Sequence, residues 1–282
     1  VWNNGMSNYN GAVAVLRGGF FTGRGGVDAY GIASDLNGAR LDAEGVTVLA
    51  EDGSSSNHGL VNDRSAVTTL RGGSFTARGG AETYGIAIHD IGTTLEAESV
   101  TVLAESGGDS NQGLINDGGA VATLRGGSFT ARGGTNAYGI YSSDSGTTLE
   151  AESVTALAEN GSDANYGLLN HSGAAATLRG GAFTGRGGAD AHGIQHSEGT
   201  LEAESVTALG ENGSSSNCGL YNLSGTARAD SSQFTGINSG LHLESGTVYL
   251  GVSQLDGDAI NVSGTLICFQ VYDSDYVAYT CP

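Results

Sequence analysis

Four pairs of carboxylates recur in this chain at one local spacing: Asp42/Glu44, Glu96/Glu98, Glu150/Glu152 and Glu202/Glu204. Two carboxylates flanking one scissile bond, ~5 Å or ~6.5–9.5 Å apart, are the machinery of glycoside hydrolysis. Residues i and i+2 on one strand face reach that range. A hydrolytic site is needed once, however, and here four equivalent copies stand with no histidine to distinguish one of them. Solvated surface is the reading they support. Weak divalent-cation binding is the functional alternative, with Glu98 expected between Gly73 and Gly127, although no EF-hand spacing accompanies it. The six histidines, His58, His89, His171, His192, His196 and His242, are scattered. His192 and His196 fall i, i+4 but outside any helical pattern, so no metal pair is expected. No catalytic residue, metal ligand or cofactor is assigned, and the chain reads as a non-enzyme.

Other chemistry-bearing residues also repeat. Tyr30, His58, Tyr84, Gln112, Tyr138, Tyr166, His192 and Cys218 each precede a Gly-Ile or Gly-Leu pair. Exposed, such a column offers a stacking strip for sugar rings; at a corner it is packing, the preferred reading. Thr22, Thr47, Thr76, Thr101, Thr130, Thr155, Thr184, Thr207 and Thr235 suggest one outward hydroxyl ladder. Ice binding would need two such columns side by side. The residue two positions on alternates Arg and Leu (Arg78, Leu103, Arg132, Leu157), which argues against it.

These repetitions come from the chain's organisation. "LRGGSFTARGG" begins at Leu70 and returns almost unchanged at Leu124; Leu16 and Leu178 open related copies, so the units are 54 residues apart. A second motif, "LEAESVTVLAE" at Leu95, divides each unit into 25 and 29 residues. The halves share a pattern, so the basic unit is about 27 residues, too short to bury its own core. Alternation places Leu95, Ala97, Val100 and Val102 inward and Thr94, Glu96, Glu98 and Thr101 outward, with a bend at Ser99. In the other half Leu70, Gly72, Phe75 and Ala77 point in, Arg71 and Thr76 out. A third strand follows at "YGIAI" or "QGLIN". Three short strands and three bends per unit describe one turn of an all-β, single-domain parallel β-helix of about ten coils in 54-residue double repeats. At ~4.8 Å per turn the rod is ~50 Å long. Arg71, Glu96, Arg125, Glu150, Arg179 and Glu202 then form an outward ladder of alternating sign, each pair contributing a few tenths to ~1 kcal/mol. Asn62, Asn116, Asn170 and Asn222, at "GLxN", are expected to stack as amides along the axis.

Composition agrees. Glycine numbers 49 and proline one. The net charge of −19, with every basic residue an Arg, argues against nucleic acid as a partner. No apolar run approaches the ~20 residues of a membrane span, so membrane insertion is not expected. Cys268 and Cys281 read as a terminal disulfide and point to an extracellular compartment, with Cys218 left as a free thiol.

The "NYGLLNHSG" and "LEAESVTA" units resemble the repeats of bacterial secreted and cell-surface β-helix proteins of the pectin-lyase-like superfold. The ending "GTLICFQVYDSDYVAYTC" is similar to the closing segment of such arrays. The resemblance implies a right-handed coil and leaves function open, since the superfold serves lyases, tailspikes, adhesins and structural proteins.

The two ends differ. "NNGMSNYNGAVAVL" aligns without a gap on "NYGLLNHSGAAATL", so the chain opens in the last third of a coil. Residues 1–228 form the regular repeats, and residues 229–282 tapering coils that end in a cap or docking tail. An assembly interface is expected between Asn3, Asn4, Met6 and Tyr9 of one copy and Phe269, Tyr272, Tyr276 and Tyr279 of the next. The function expected is that of an extracellular or cell-surface structural protein, a homopolymer stacked head-to-tail into a filament. A monomeric adhesin stalk binding surface glycans is the alternative, and a polysaccharide-active enzyme the third reading.

Overall fold

A computed structural model describes residues 2–36 and 38–281. Its 32 strands wind through three parallel sheets, each sheet taking every third strand. Sheets A and B hold 11 strands each and sheet C ten. No helix occurs among the described residues. One rung runs Ser56–Asp63 in sheet A, Val67–Arg71 in sheet B and Ser74–Arg78 in sheet C. Glu82–Ile88 then opens the next rung directly beside Ser56–Asp63. The chain is thus a parallel β-solenoid, with all three expected strands in place.

Inward residues alternate as expected. Leu70, Phe75, Leu95, Val100, Leu124, Phe129, Leu149 and Val154 are all buried in one continuous core. The register between the half-repeats is the first correction. Aligning the motifs sets Leu70 on Leu95, but Leu70 pairs with Ala97 and with Ala43. Leu95 lies between Thr68 and Ala122. From Val13 to Arg179 the offset in sheet B is 27 residues (97 − 70) rather than alternating 25 and 29, while sheet A alternates 26 (82 − 56) and 28 (110 − 82). A slip of two residues keeps every side chain on its own face, so alternation cannot detect it. Volume can. From Leu41 to Ala203 each sheet B strand carries one leucine and one smaller inward residue, and the leucine position switches from rung to rung. Leu over Ala in both columns fills the interior evenly; Leu over Leu would leave the second column with Gly72 over Ala97. This checkerboard, together with the alternating spacing of sheet A, makes the sequence repeat every 54 residues although one rung takes about half of that.

Corners are built from residues that tolerate positive φ. Between sheets B and C the chain turns at Gly72, Ser99, Gly126 and Ser153, with φ of 60°, 55°, 62° and 54°. Ser99 is a bend, as expected. Gly72 is not inward: it occupies the equivalent bend, where an added Cβ would meet nothing within 4 Å. Its neighbour Gly73 has no such room, since a Cβ there would lie 2.5 Å from the Val46 carbonyl oxygen. Between sheets C and A a buried asparagine closes each two-rung unit. Asn111 accepts from the Gly107 N–H (2.8 Å) and donates to the carbonyls of Gly107 (3.1 Å) and, one rung on, Gly133 (2.9 Å). Asn57 and Asn165 do the same.

Beyond residue 228 the rungs shorten, and Ala227, Val248 and Leu266 stack. Tyr272 then lies beside Gln254 at the end of sheet C, and the chain reverses so that Tyr272 faces Ala278 antiparallel. Val271 is buried beneath this reversal. The Cys268–Cys281 disulfide, Cα–Cα 6.3 Å, ties the tail to the last strand of sheet B.

Candidate functional site

Sheet B presents the carboxylates. All four pairs face outward, but their neighbours differ from expectation. Glu98 stands between Arg71 and Arg125, not between Gly73 and Gly127. Glu96 and Glu150 stand beside threonines: Thr69 and Thr123 flank the first, Thr123 and Thr177 the second. The ladder of alternating sign therefore exists with Glu44, Glu98, Glu152 and Glu204 as its acids, the same two-residue correction. Asp42 is gripped from both sides, by Arg17 (3.4 Å) and Arg71 (3.0 Å). The hydrogen bond from Arg17 is the main cause of its lowered pKa.

A second ladder, on sheet C, is absent from the sequence reading. Arg24, Glu51, Arg78, Glu105, Arg132, Glu159, Arg186 and Glu211 follow one another rung by rung. Arg78 meets Glu105 at 2.8 Å, Arg132 meets Glu159 at 2.7 Å, Arg186 meets Glu211 at 2.6 Å, and Arg24 pairs with Glu51. The expected single threonine ladder dissolves at the same time. Thr76 lies between Leu49 and Leu103, and Thr130 between Leu103 and Leu157. Thr101 lies between Ser74 and Ser128, and Thr155 between Ser128 and Ala182.

Sheet A carries the ring column on its outer face. Tyr30, His58 and Tyr84 stack with centroids 4.9 and 4.7 Å apart, and Tyr166, His192 and Tyr221 with centroids 4.8 Å apart. Planes within 25° of parallel mean that the facing ring surfaces within each triplet cover one another, while Gln112 interrupts the column between Tyr84 and Tyr138. Within the triplets what remains outward is mainly ring edge rather than the face on which a sugar would stack. Burial holds His58 neutral, with its pKa pushed down to about 3, and His192 likewise at about 4. His89 behaves oppositely: burial opposes its charge, but the Asp117 hydrogen bond and neighbouring carboxylates outweigh this and raise its pKa.

One constellation has the connectivity of a nucleophile, base and orienter. His192 Nδ1 lies 3.0 Å from Gln195 Oε1, and its Nε2 lies 3.1 Å from Ser216 Oγ. The glutamine oxygen accepts, which leaves Nε2 free to accept from the serine. Acyl transfer also needs N–H donors for the oxyanion. The Ser216 and Asn217 amides are already bonded to the Ala189 carbonyl and to Asn238 Oδ1. Cys218, the end of the column, is buried, its thiol between the Ser216 (3.4 Å) and Ser239 (3.2 Å) hydroxyls, and burial raises its pKa. Among the described residues no group of three or more His, Cys, Asp or Glu could hold a metal.

The "GLxN" asparagines are buried but do not stack on one another. Ile88 separates Asn62 from Asn116, Ser142 separates Asn116 from Asn170, and His196 separates Asn170 from Asn222. Each amide donates instead to a backbone carbonyl of the next rung, as Asn62 does to Thr94 and Asn116 to Thr148, both at 2.9 Å. Sequence spacing shows the repeat; only the rung order shows that these residues occupy alternate rungs. The corner asparagines were missed altogether, although Gly53/Asn57, Gly107/Asn111, Gly161/Asn165 and Gly213/Asn217 share one spacing.

At the ends, Asn3 donates to the Arg24 carbonyl, and Asn4 to Ser7 and Tyr9. Met6 packs against the first core residues. Phe269 and Tyr276 are exposed, whereas Tyr279 packs against the core and its hydroxyl accepts the Ala259 N–H (2.9 Å). No family model matches the chain, and neither the curated proteins nor the solved structures contain a match.

Proposed function

We propose that this chain is a non-enzymatic structural solenoid of a bacterial cell exterior, whose copies stack head-to-tail. One observation carries the reading. Many of the groups that could do chemistry are engaged by their own neighbours: the sheet C glutamates by arginines, the stacked rings by rings, and the amide N–H groups of the buried asparagines by the next rung. A site that is repeated and self-satisfied makes length and rigidity rather than turnover. The extracellular placement and the pectin-lyase-like kinship rest on the terminal disulfide and the motif resemblance.

The end-to-end contact is supported by where apolar side chains break the surface pattern. Val13, Val15 and Phe20 are 58–69% exposed, in columns that hold Thr, Ser, Asp, Glu or Arg in most other rungs. Ile267 and Phe269 do the same in the last strand of sheet B. A contact between two unlike apolar patches of this kind propagates. Residues 2–16 of one copy therefore meet residues 249–281 of the next. The rival, a glycan-binding stalk, would have to use ring edges. Negative-stain microscopy of the purified chain tests the proposal. Filaments whose repeat matches one rod are expected; a monomer at high concentration, or rods joined side by side, overturns the assembly.

A further inference from the structure

The corrected register removes the objection to an ordered-water surface. On sheet C the outward positions form two adjacent columns without a charge. One runs Thr47, Ser74, Thr101, Ser128, Thr155 and on to Thr207, broken only by Ala182. The other alternates Thr and Leu from Thr22 to Thr235. The arginines that broke the plane in the sequence reading belong to a third column. There they pair with glutamates, so the border is neutralised.

Three features define this face. Its pairing runs without a bulge through the whole of the two columns. Hydroxyls therefore repeat ~4.8 Å apart along the axis in the Thr/Ser column and, with leucine on alternate rungs, ~9.6 Å apart in the Thr/Leu column, the two columns standing about 6.6 Å apart along the strand. Among the described residues, none of the threonine hydroxyls in these columns has a protein partner, whereas Thr68 and Thr83, which are buried, bond to asparagine oxygens. Each free hydroxyl offers one donor and two acceptor positions. Between them stand threonine methyls and the half-buried leucines Leu49, Leu103, Leu157 and Leu209, which restrict the orientations open to adjacent water without bonding to it. Sheet B, by contrast, presents glutamates and arginines that bind water strongly and individually, and sheet A presents ring edges.

We infer that the outer face of sheet C binds ice: hydroxyls at lattice-like spacing anchor a water layer that the intervening apolar groups hold in an ordered arrangement. The occupant is solid water, not a glycan or a second copy, because the two columns carry no charge to complement and no open ring to stack upon, and the charged column at their border is paired within itself. This does not depend on end-to-end assembly, which leaves the side of the rod free.

The test measures the gap between melting and freezing points and the partition of the full chain into a growing ice front. The intact protein is expected to show a gap, to facet ice crystals and to enter the ice. Thr130→Tyr, in the middle of the face, is expected to remove most of the gap. Thr123→Tyr, on sheet B of the same rung, is expected to leave it unchanged. Circular-dichroism melts check both variants; if Thr130→Tyr does not fold, the exposed positions Thr101→Lys and Thr155→Lys should give the same loss. Absence of a gap in the intact protein overturns the inference, as does an equal loss from the sheet B variant. So does a concentration-dependent dimer that Thr130→Tyr abolishes in a protein without a gap.

Discussion

The solenoid contains its own control for the worth of one buried hydrogen bond. In one rung Thr68 donates to Asn62 Oδ1 at 2.8 Å, and both side chains are buried. Two rungs on, Ala122 takes the place of Thr68, and Asn116 Oδ1 is left without a partner. Ala176 and Asn170 Oδ1 repeat the situation. Restoring the hydroxyl with Ala122→Thr should therefore stabilise the protein. A buried acceptor without a donor costs about 1–3 kcal/mol, and a made hydrogen bond contributes about 0.5–1.5 kcal/mol net. Against this stands overpacking, about 1–3 kcal/mol where there is no room. Thr68 answers that objection, because it sits between Leu41 and Leu95 as Ala122 sits between Leu95 and Leu149. A net gain of about 1 kcal/mol follows for Ala122→Thr, or roughly 2 °C in Tm for a chain of this size. Ala176→Thr should add a similar amount, since the sites are two rungs, ~9.6 Å, apart. Ala122→Val is the deciding comparison. It has nearly the same shape and no donor, so it should fall below Ala122→Thr by about 1–3 kcal/mol in thermal or urea melts. If Val matches or exceeds Thr at position 122, the unpartnered oxygen is not what limits stability there, and the reasoning fails.

Removing the disulfide by Cys268→Ser with Cys281→Ser should lower stability by about 3 kcal/mol, given the short loop it closes, while far-ultraviolet circular dichroism keeps the β signal; unreduced mass spectrometry should show Cys268 linked to Cys281 and Cys218 free. Stability should fall as pH drops from 6.5 towards 4, because His58, His192 and His196 are neutral when folded, with pKa values pushed down to about 3, 4 and 4, and take up protons only on unfolding. A Tm that is flat across that range would contradict it, and His192→Phe, which keeps the stack, should flatten it in part. Raising salt should loosen the Arg/Glu ladders without melting the core, so a high-salt melt should show a Tm drop of only a few degrees. Deleting residues 269–282 should abolish filaments and leave the β signal of the rod; filaments that persist would place the contact elsewhere.

Much of this architecture was legible in the residues. A 27-residue unit cannot close a core by itself, so stacking follows from its length. Period-two alternation fixed which side of each strand faces in: Leu95, Val100 and Phe75 are buried and Glu96 and Thr101 exposed, as read. The corner at Ser99 and the pairing of Cys268 with Cys281 also follow from local pattern. Neighbours across rungs were another matter. Period two is blind to a slip of two, so Glu96 was set where Glu98 stands, and threonines of alternate rungs were merged into one ladder. The choice between registers lay in the interior, where Leu over Ala fills the space evenly and Leu over Leu does not. That volume constraint decided which arginine meets which glutamate and that sheet C carries two uncharged columns rather than one broken one, whereas the ring column of sheet A, from Tyr30 to Cys218, follows the order read from the Gly-Ile and Gly-Leu pairs. The reversal of residues 272–279 onto the last rungs was likewise invisible locally, because it depends on the open end of sheet C and the buried place it offers Val271.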